Sequence, residues 1–232
     1  MLKRIMALLW SRKEMMMANK MVMMNLLIPA LMVVLYQYMF KSMEDAGKMI
    51  FFMVLPMIPA FLGYLLPTVV AEEAEKNNQR SLRLAGVKSW EYVLASLLLP
   101  FVVAVIYLVF LPFYLRINLS ELGWQYIPVM LLTSLIVFLI FMALALMTDT
   151  QARASIVAMP VMMVSSFLPM FAMMDKTVEK IIDFTYLGAY SAYSKEMSHY
   201  QIMDKSFFFL IIWLMVALLG VIWLTRQKQI IK

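Results

Sequence analysis

Residues Val70–Tyr92 read VAEEAEKNNQRSLRLAGVKSWEY and form the longest polar interruption in the first two thirds of an otherwise apolar chain. Glu, Lys, Asn and Gln between Ala71 and Arg80 favour a helix that continues out of the preceding apolar run. The pair Asn77-Asn78 weakens that helix. A short amphipathic helical turn should follow over Ser81–Ala85.

The chain then turns back into a second apolar run. Gly86 is the expected break, because glycine adopts the left-handed conformation that ends helices. Ser89 is the expected N-cap of the next helix, with Glu91 in its first turn, where the helix dipole favours an anion. The stretch therefore predicts a helix leaving the apolar region, a short crosswise helix, a break and a helix returning.

Composition makes this an all-α membrane protein. Of its 232 residues, 64% are hydrophobic and 15% are charged, against roughly 25% charged in soluble domains. Several apolar runs exceed the ~18 residues that mark a membrane-spanning helix. The chain has no cysteine, which excludes disulfides and thiol chemistry. Its net charge of +6 lies in short loops, so we relate it to orientation in a membrane and expect no nucleic-acid partner.

Two domains are predicted. Residues 1–20 form an interfacial amphipathic helix, because apolar Leu2, Ile5, Met6 and Leu9 fall at helical spacing. Its membrane-interface cations, on the polar side of the helix, are Lys3, Arg4, Arg12 and Lys13. Residues 21–232 form a single transmembrane domain with six spans at about 21–40, 49–70, 92–115, 126–148, 154–174 and 206–224.

Loop charges set the expected orientation. With a cytoplasmic N-terminus, thirteen Lys and Arg residues lie on the inner side and seven on the outer side. The positive-inside rule therefore places both termini and the 71–91 loop in the cytoplasm. The one long outer loop, residues 175–205, is rich in apolar and aromatic residues, and we expect one or two short re-entrant or interfacial helices there.

Sites with chemistry of their own are not expected. No Asp, Glu, Lys or Arg lies inside the six predicted spans, whereas ion-coupled transporters usually keep such a group at membrane depth. No phosphate-binding loop or nucleophile elbow occurs, and the single histidine, His199, falls in the outer loop. The methionine cluster near Met15–Met17 could hold copper(I), but no Cys or His joins it. We therefore predict no catalytic residues, no metal site and no cofactor on this chain.

The 71–91 loop resembles the inner loop of ABC type-2 permeases, the membrane subunits of bacterial ABC exporters. The family has a Glu-Lys/Arg-rich end of the second span, a Thr/Ser-Leu-x-x-Leu-like turn, a small-residue break and an aromatic start of the third span. The matching residues here are Glu73, Glu75 and Lys76, then Ser81-Leu82-Arg83-Leu84, Gly86-Val87 and Ser89-Trp90-Glu91-Tyr92. Many members carry Gly-Thr before the turn, where this chain has Asn78-Gln79-Arg80.

The resemblance implies a coupling helix between spans two and three that fits a groove in a separate cytoplasmic ATPase subunit. That subunit would hold ATP and Mg, and two permeases, identical or paralogous, would pair in the bacterial plasma membrane. The chain itself would be a transport subunit and not an enzyme. The coupling residues would be Glu73, Glu75, Arg80, Leu82, Arg83, Leu84 and Trp90, with charges pairing across the interface and leucines filling its pocket.

The leading hypothesis is therefore the permease of an ATP-driven exporter that moves a hydrophobic or amphipathic substrate, such as a peptide, a drug or a lipid-like molecule. One alternative is a vitamin-binding membrane subunit of an importer, which would need a preformed polar pocket on an outer loop. Another is a stand-alone channel or membrane sensor, for which we see no polar pore-lining stripe.

Overall fold

The computed structural model describes residues 2–228, except for the side chains of Leu2, Lys3, Met21, Arg83 and Lys228. No strand occurs in this part of the chain. The helices, in chain order, are α1 Leu2–Ala18, α2 Lys20–Met39, α3 Ala46–Val54, α4 Met57–Glu75, α5 Asn78–Leu84, α6 Ser89–Tyr114, α7 Leu119–Leu122, α8 Tyr126–Met147, α9 Gln151–Met174, α10 Lys176–Ile182, α11 Gly188–Glu196 and α12 Lys205–Lys228, with one 3-10 turn at Met197–His199.

Six spans are confirmed. The described residues contain six apolar helical segments long enough to cross a membrane: Val22–Met39, Ala46–Glu75, Ser89–Tyr114, Tyr126–Met147, Gln151–Met174 and Lys205–Gln227. They coincide with the predicted spans, although the helices often extend several residues further because polar residues at the ends continue the backbone hydrogen bonding.

The second span, predicted at about residues 49–70, is broken into two helices. It consists of α3 and α4, which are separated at Leu55-Pro56. Proline has no backbone N–H and its ring crowds the preceding turn, so it interrupts a helix at its own position. Pro56 is the N-cap of α4, so this single span consists of two helices.

Helix α4 is the centre of the bundle. It packs against α9, α8, α6 and α2, and most of its side chains are buried. Gly63 allows the close approach of α8, because a Cβ atom added there would lie 2.4 Å from the ring of Phe141. Only a residue without a side chain fits at that point of the α4–α8 contact.

Residues 175–205, where one or two short helices were predicted, contain α10 and α11. Helix α11 is not a surface element, because it packs against α8 and α12 and most of its residues are buried. The Tyr193 hydroxyl donates a 2.9 Å hydrogen bond to the carbonyl oxygen of Leu122, and the Tyr190 hydroxyl donates to that of Phe52. These bonds let tyrosine hydroxyls enter an apolar interior, since buried polar groups need partners.

The candidate coupling surface

The α4–α5–α6 segment has the predicted shape. Asn77 has a φ of 57° and separates α4 from α5, and Gly86 has a φ of 75° between α5 and α6. Asparagine and glycine are the residue types that adopt this left-handed backbone conformation most readily. The predicted break at Gly86 is present. The short crosswise helix, predicted over Ser81–Ala85 after a helix that continues to Arg80, is α5 and begins three residues earlier, at Asn78.

The predicted cap of α6 is wrong by one residue. Lys88 is the N-cap and Ser89 is already the first helical residue. Glu91 lies in the first turn as expected, and its Oε2 accepts a 2.9 Å hydrogen bond from the backbone N–H of Lys88. A carboxylate that reaches back to the N-cap amide satisfies an otherwise free donor.

A buried ion pair joins α1 to this segment. Nη2 of Arg12 lies 2.8 Å from Oε2 of Glu73 near the end of α4, and both residues are only 5% exposed. Tyr92 of α6 donates a 2.6 Å hydrogen bond to the same carboxylate oxygen, and its ring lies 4.9 Å from the guanidinium carbon. Arg12 also donates a 2.9 Å hydrogen bond to the Ser96 hydroxyl. We call Arg12, Glu73, Tyr92 and Ser96 the arginine cluster.

The cluster keeps Arg12 charged although it is buried. Burial lowers the pKa of the guanidinium, but the nearby Tyr92 and Glu73 oxygens raise it, and the net pKa lies above its ordinary value. Partners of opposite charge within hydrogen-bond distance favour the charged form. The pair therefore stays ionic, which is the condition under which a buried charge is tolerated.

Arg4 is a second attachment of α1. Its Nη1 donates a 3.0 Å hydrogen bond to the Gly86 carbonyl oxygen, and its Nη2 lies 3.3 Å from Oε1 of Glu91. Arg4 and Arg12 are eight residues apart, about 12 Å along a helix. Helix α1 is therefore held at two points along α6 and at the loop that follows α5.

Helix α5 is connected to the arginine cluster through Gln79. The side-chain amide of Gln79 donates 3.4 Å hydrogen bonds to the Val70 carbonyl oxygen and to the Tyr92 hydroxyl. Leu82 is half-buried and packs against the main core. Helices α1, α4, α5 and α6 thus meet around one set of polar contacts.

Two of the predicted site residues lie in a different environment from the expected one. Arg12 was placed on the polar side of α1, and Glu73 was expected to pair with a partner subunit. Both predictions are wrong, because each residue is buried against the other. Ile5, Leu8 and Met16 are buried on the same face of α1 as Arg12, so packing of that face against α6 takes the arginine inside.

The other predicted coupling residues lie at or near the surface. Glu75 accepts a 3.1 Å hydrogen bond from the backbone N–H of Gln151, the first residue of α9. Arg80 is exposed, Leu84 is 82% exposed and Trp90 is partly exposed. On α1, Lys13 is exposed and Arg4 is partly exposed. The side chains of Lys3 and Arg83 lie outside the described residues.

Sequence reasoning missed three members of this site: Gln79, Tyr92 and Ser96. A signal was present in the spacing on α1, since Ile5, Leu8, Arg12 and Met16 recur at helical intervals on one face. An arginine within such a stripe indicates a buried acceptor elsewhere in the chain. Tyr92 and Ser96 also lie four residues apart on α6, where side chains share a face.

Six apolar helices long enough to cross a membrane, with α5 exposed at one end and α1 held beside it, define a multi-pass membrane protein. The family model for the ABC-2 type transporter matches residues 3–203. The chain therefore belongs to the ABC-2 type transporter family, a family of multi-pass membrane components of ABC transporters. Neither a curated protein nor a solved structure matches it significantly.

Proposed function

We propose that this chain is the permease subunit of an ATP-driven exporter and that a separate ATPase subunit binds at α5. The observation that carries the proposal is the exposure of Leu84 at the end of α5, next to exposed Arg80. An exposed leucine beside a cation provides both an apolar contact and an electrostatic one, the combination found at the centre and rim of protein interfaces.

The anchoring of α5 supports a mechanical role. Gln79 and Leu82 face the bundle, whereas Arg80 and Leu84 face away from it. A force applied to the exposed side is passed to α4 and α6 through Tyr92, because that hydroxyl contacts both Gln79 and Glu73. Coupling between the exposed side of α5 and the spans needs a contiguous packed connection. The contacts of Tyr92 with Gln79 and Glu73 provide a connection of this kind.

The remaining parts of the proposal follow from family membership and from sequence. ATP and Mg would bind the partner subunit, and a second permease, identical or paralogous, would complete the transporter. The substrate would be hydrophobic or amphipathic, because the described spans are apolar and the chain is rich in methionine. Loop charges support cytoplasmic termini in a bacterial plasma membrane.

The test compares two exposed leucines at opposite ends of the bundle. The full-length chain is purified in mild detergent from its native membrane as wild type, Leu84→Asp and Leu119→Asp. Leu119 is 52% exposed on α7, which follows the far end of α6, so it is a matched control for the same substitution. Co-purified proteins are identified by mass spectrometry, and an ATPase is recognised by its phosphate-binding loop.

We expect the ATPase to accompany wild type and Leu119→Asp but not Leu84→Asp. An ATPase retained by all three variants would refute the assignment of α5 as its binding site. Co-purification of no ATPase with wild type at any detergent strength would refute the exporter itself. Leu82→Asp is a poorer test, because Leu82 packs against the core and a charge there perturbs the bundle.

A further inference from the structure

An open groove lies between α6 and α12, at the same end of the bundle as α5. Its volume is about 990 Å³, and buried Leu139 of α8 is among its lining residues. Val93 and Leu97 of α6 and Leu218 and Ile222 of α12 contribute to its apolar walls. The groove faces outward from the bundle and takes no part in the arginine cluster.

One end of the groove is cationic. Lys88 at the start of α6 and Arg226 near the end of α12 both line it and are exposed. None of the described lining residues is acidic. The carboxylate that interacts electrostatically with Lys88 is that of Glu91, which is buried and also pairs with Arg4. Trp90 and Thr225 lie in the same region, and tryptophan is enriched where a membrane helix meets the headgroups.

The length of the groove indicates which kind of molecule can occupy it. Along α6 the lining residues run from Lys88 to Leu97, which is about 14 Å at the helical rise. The hydrocarbon core of a bilayer is about 30 Å thick, so this length, which includes the cationic end at Lys88, lies within a single leaflet of about 15 Å. A membrane-spanning helix would extend over both leaflets. A phospholipid instead has acyl chains that fit the apolar walls of the groove and a headgroup that fits its cationic end.

We propose that this groove is a binding site for an anionic membrane phospholipid. The phosphate and headgroup bind Lys88 and Arg226, with Trp90 beside the glycerol region, and the acyl chains lie along Leu97, Leu218 and Ile222. Basic pockets between membrane helices recognise anionic headgroups by this chemistry.

The expected selectivity can be derived from the charges. Each cation near an anionic membrane surface contributes about a fivefold preference, so two give about 30-fold. The experiment is native mass spectrometry of the delipidated full-length chain in detergent. Phosphatidylglycerol and phosphatidylcholine with identical acyl chains are added in turn, and the bound fraction is measured at increasing lipid concentration.

Three variants separate the headgroup from the acyl contact. Lys88→Gln/Arg226→Gln should bind both lipids equally and weakly. Leu218→Trp should reduce binding of both lipids, because the indole occupies the acyl path while the cations are unchanged. Lys176→Gln/Lys180→Gln removes two exposed cations of α10 and should keep the wild-type preference. Each variant is included only if its size-exclusion profile matches wild type.

Several outcomes would overturn the proposal. Equal affinity of wild type for the two lipids would show that the headgroup is not recognised. A preference that survives in Lys88→Gln/Arg226→Gln, or that is lost in Lys176→Gln/Lys180→Gln, would place the selectivity elsewhere on the surface. A single-span protein that co-purifies with wild type and is released by Leu218→Trp would identify a protein occupant instead.

Discussion

Removal of one partner of the buried pair between Arg12 and Glu73 should destabilise the bundle more than loss of any surface charge. In Glu73→Gln the amide still accepts the Tyr92 hydroxyl, but Arg12 keeps its charge without a counter-ion. In Arg12→Met the carboxylate keeps only the Tyr92 bond. Each variant leaves a buried charge without its ionic partner, and this costs about 3–5 kcal/mol in soluble proteins.

The double variant should recover most of that loss. Methionine fills much of the space of the arginine stem, and the glutamine is neutral, so no buried charge is left. Replacement of a buried ion pair by neutral residues of similar volume is often close to neutral for stability. With single losses of about 3–5 kcal/mol each and a double loss near zero, the coupling free energy between the two sites should be about 6–10 kcal/mol, well above the value for exposed pairs.

Thermal unfolding of the purified chain in a fixed detergent measures this effect. One kcal/mol shifts the midpoint of a domain of 150–250 residues by about 2–4 °C, so each single variant should melt about 10 °C below wild type. Lys13→Met is the control, because Lys13 is an exposed cation next to Arg12 on the same helix. It should stay within about 2 °C of wild type.

The result that would refute this reasoning is additivity. If the two single losses simply add in Arg12→Met/Glu73→Gln, the residues do not interact in the folded protein. If Arg12→Met melts like Lys13→Met, the guanidinium is solvated and α1 does not bury it. Either outcome would show that Arg12 of α1 does not interact with the other residues of the arginine cluster.

Three further perturbations test other parts of the fold. Gly63→Ala should destabilise the α4–α8 contact by about 1–3 kcal/mol through overpacking, whereas Gly220→Ala, with open space around its Cβ, should leave the melting midpoint equal or slightly higher. Tyr193→Phe should cost about 1–3 kcal/mol because it leaves the buried Leu122 carbonyl without its donor, measured by the same melting assay. The backbone N–H groups at the start of α10 lower the pKa of the Asp175 carboxyl, so its contribution is full above the unfolded value of about 3.9 and is lost as the pH falls through the lower native value. The protection factors of the α10 amides, which correct for the intrinsic pH dependence of exchange, should therefore fall in strong acid in wild type, be low at all pH values in Asp175→Ala, and be high and independent of pH in Asp175→Asn.

The parts of the fold that follow from local chemistry were predictable from sequence. The number of spans follows from apolar length, because the bilayer thickness fixes how many residues are needed to cross it. Asn77 and Gly86 mark the two ends of α5, because their backbone conformations are costly for most other residues. The break at Pro56 could not be singled out among the prolines of the spans, since proline is common in membrane helices and only the surrounding packing decides whether it interrupts one.

Burial of polar residues was not predictable, because it depends on partners far away in the chain. Arg12 and Glu73 are separated by sixty-one positions in the sequence, and each taken alone is typical of a solvated surface. The same holds for Tyr190 of α11, whose acceptor is the carbonyl oxygen of Phe52 on α3. An aromatic residue with a hydroxyl is as common at a membrane interface as in a core that offers an acceptor.

The buried pair also bears on how α5 could act. A helix of seven residues is too short to be stable by itself, so the position of α5 depends on what it contacts. The structure holds it through Gln79 to Tyr92, and Tyr92 is in turn fixed by Glu73 and by the guanidinium of Arg12. Loss of Arg12 should therefore loosen α5 as well as α1, although Arg12 lies sixty-six positions before the start of α5. Hydrogen exchange in residues 78–84 would rise in Arg12→Met and return towards wild type in the double variant if the two helices depend on the same cluster.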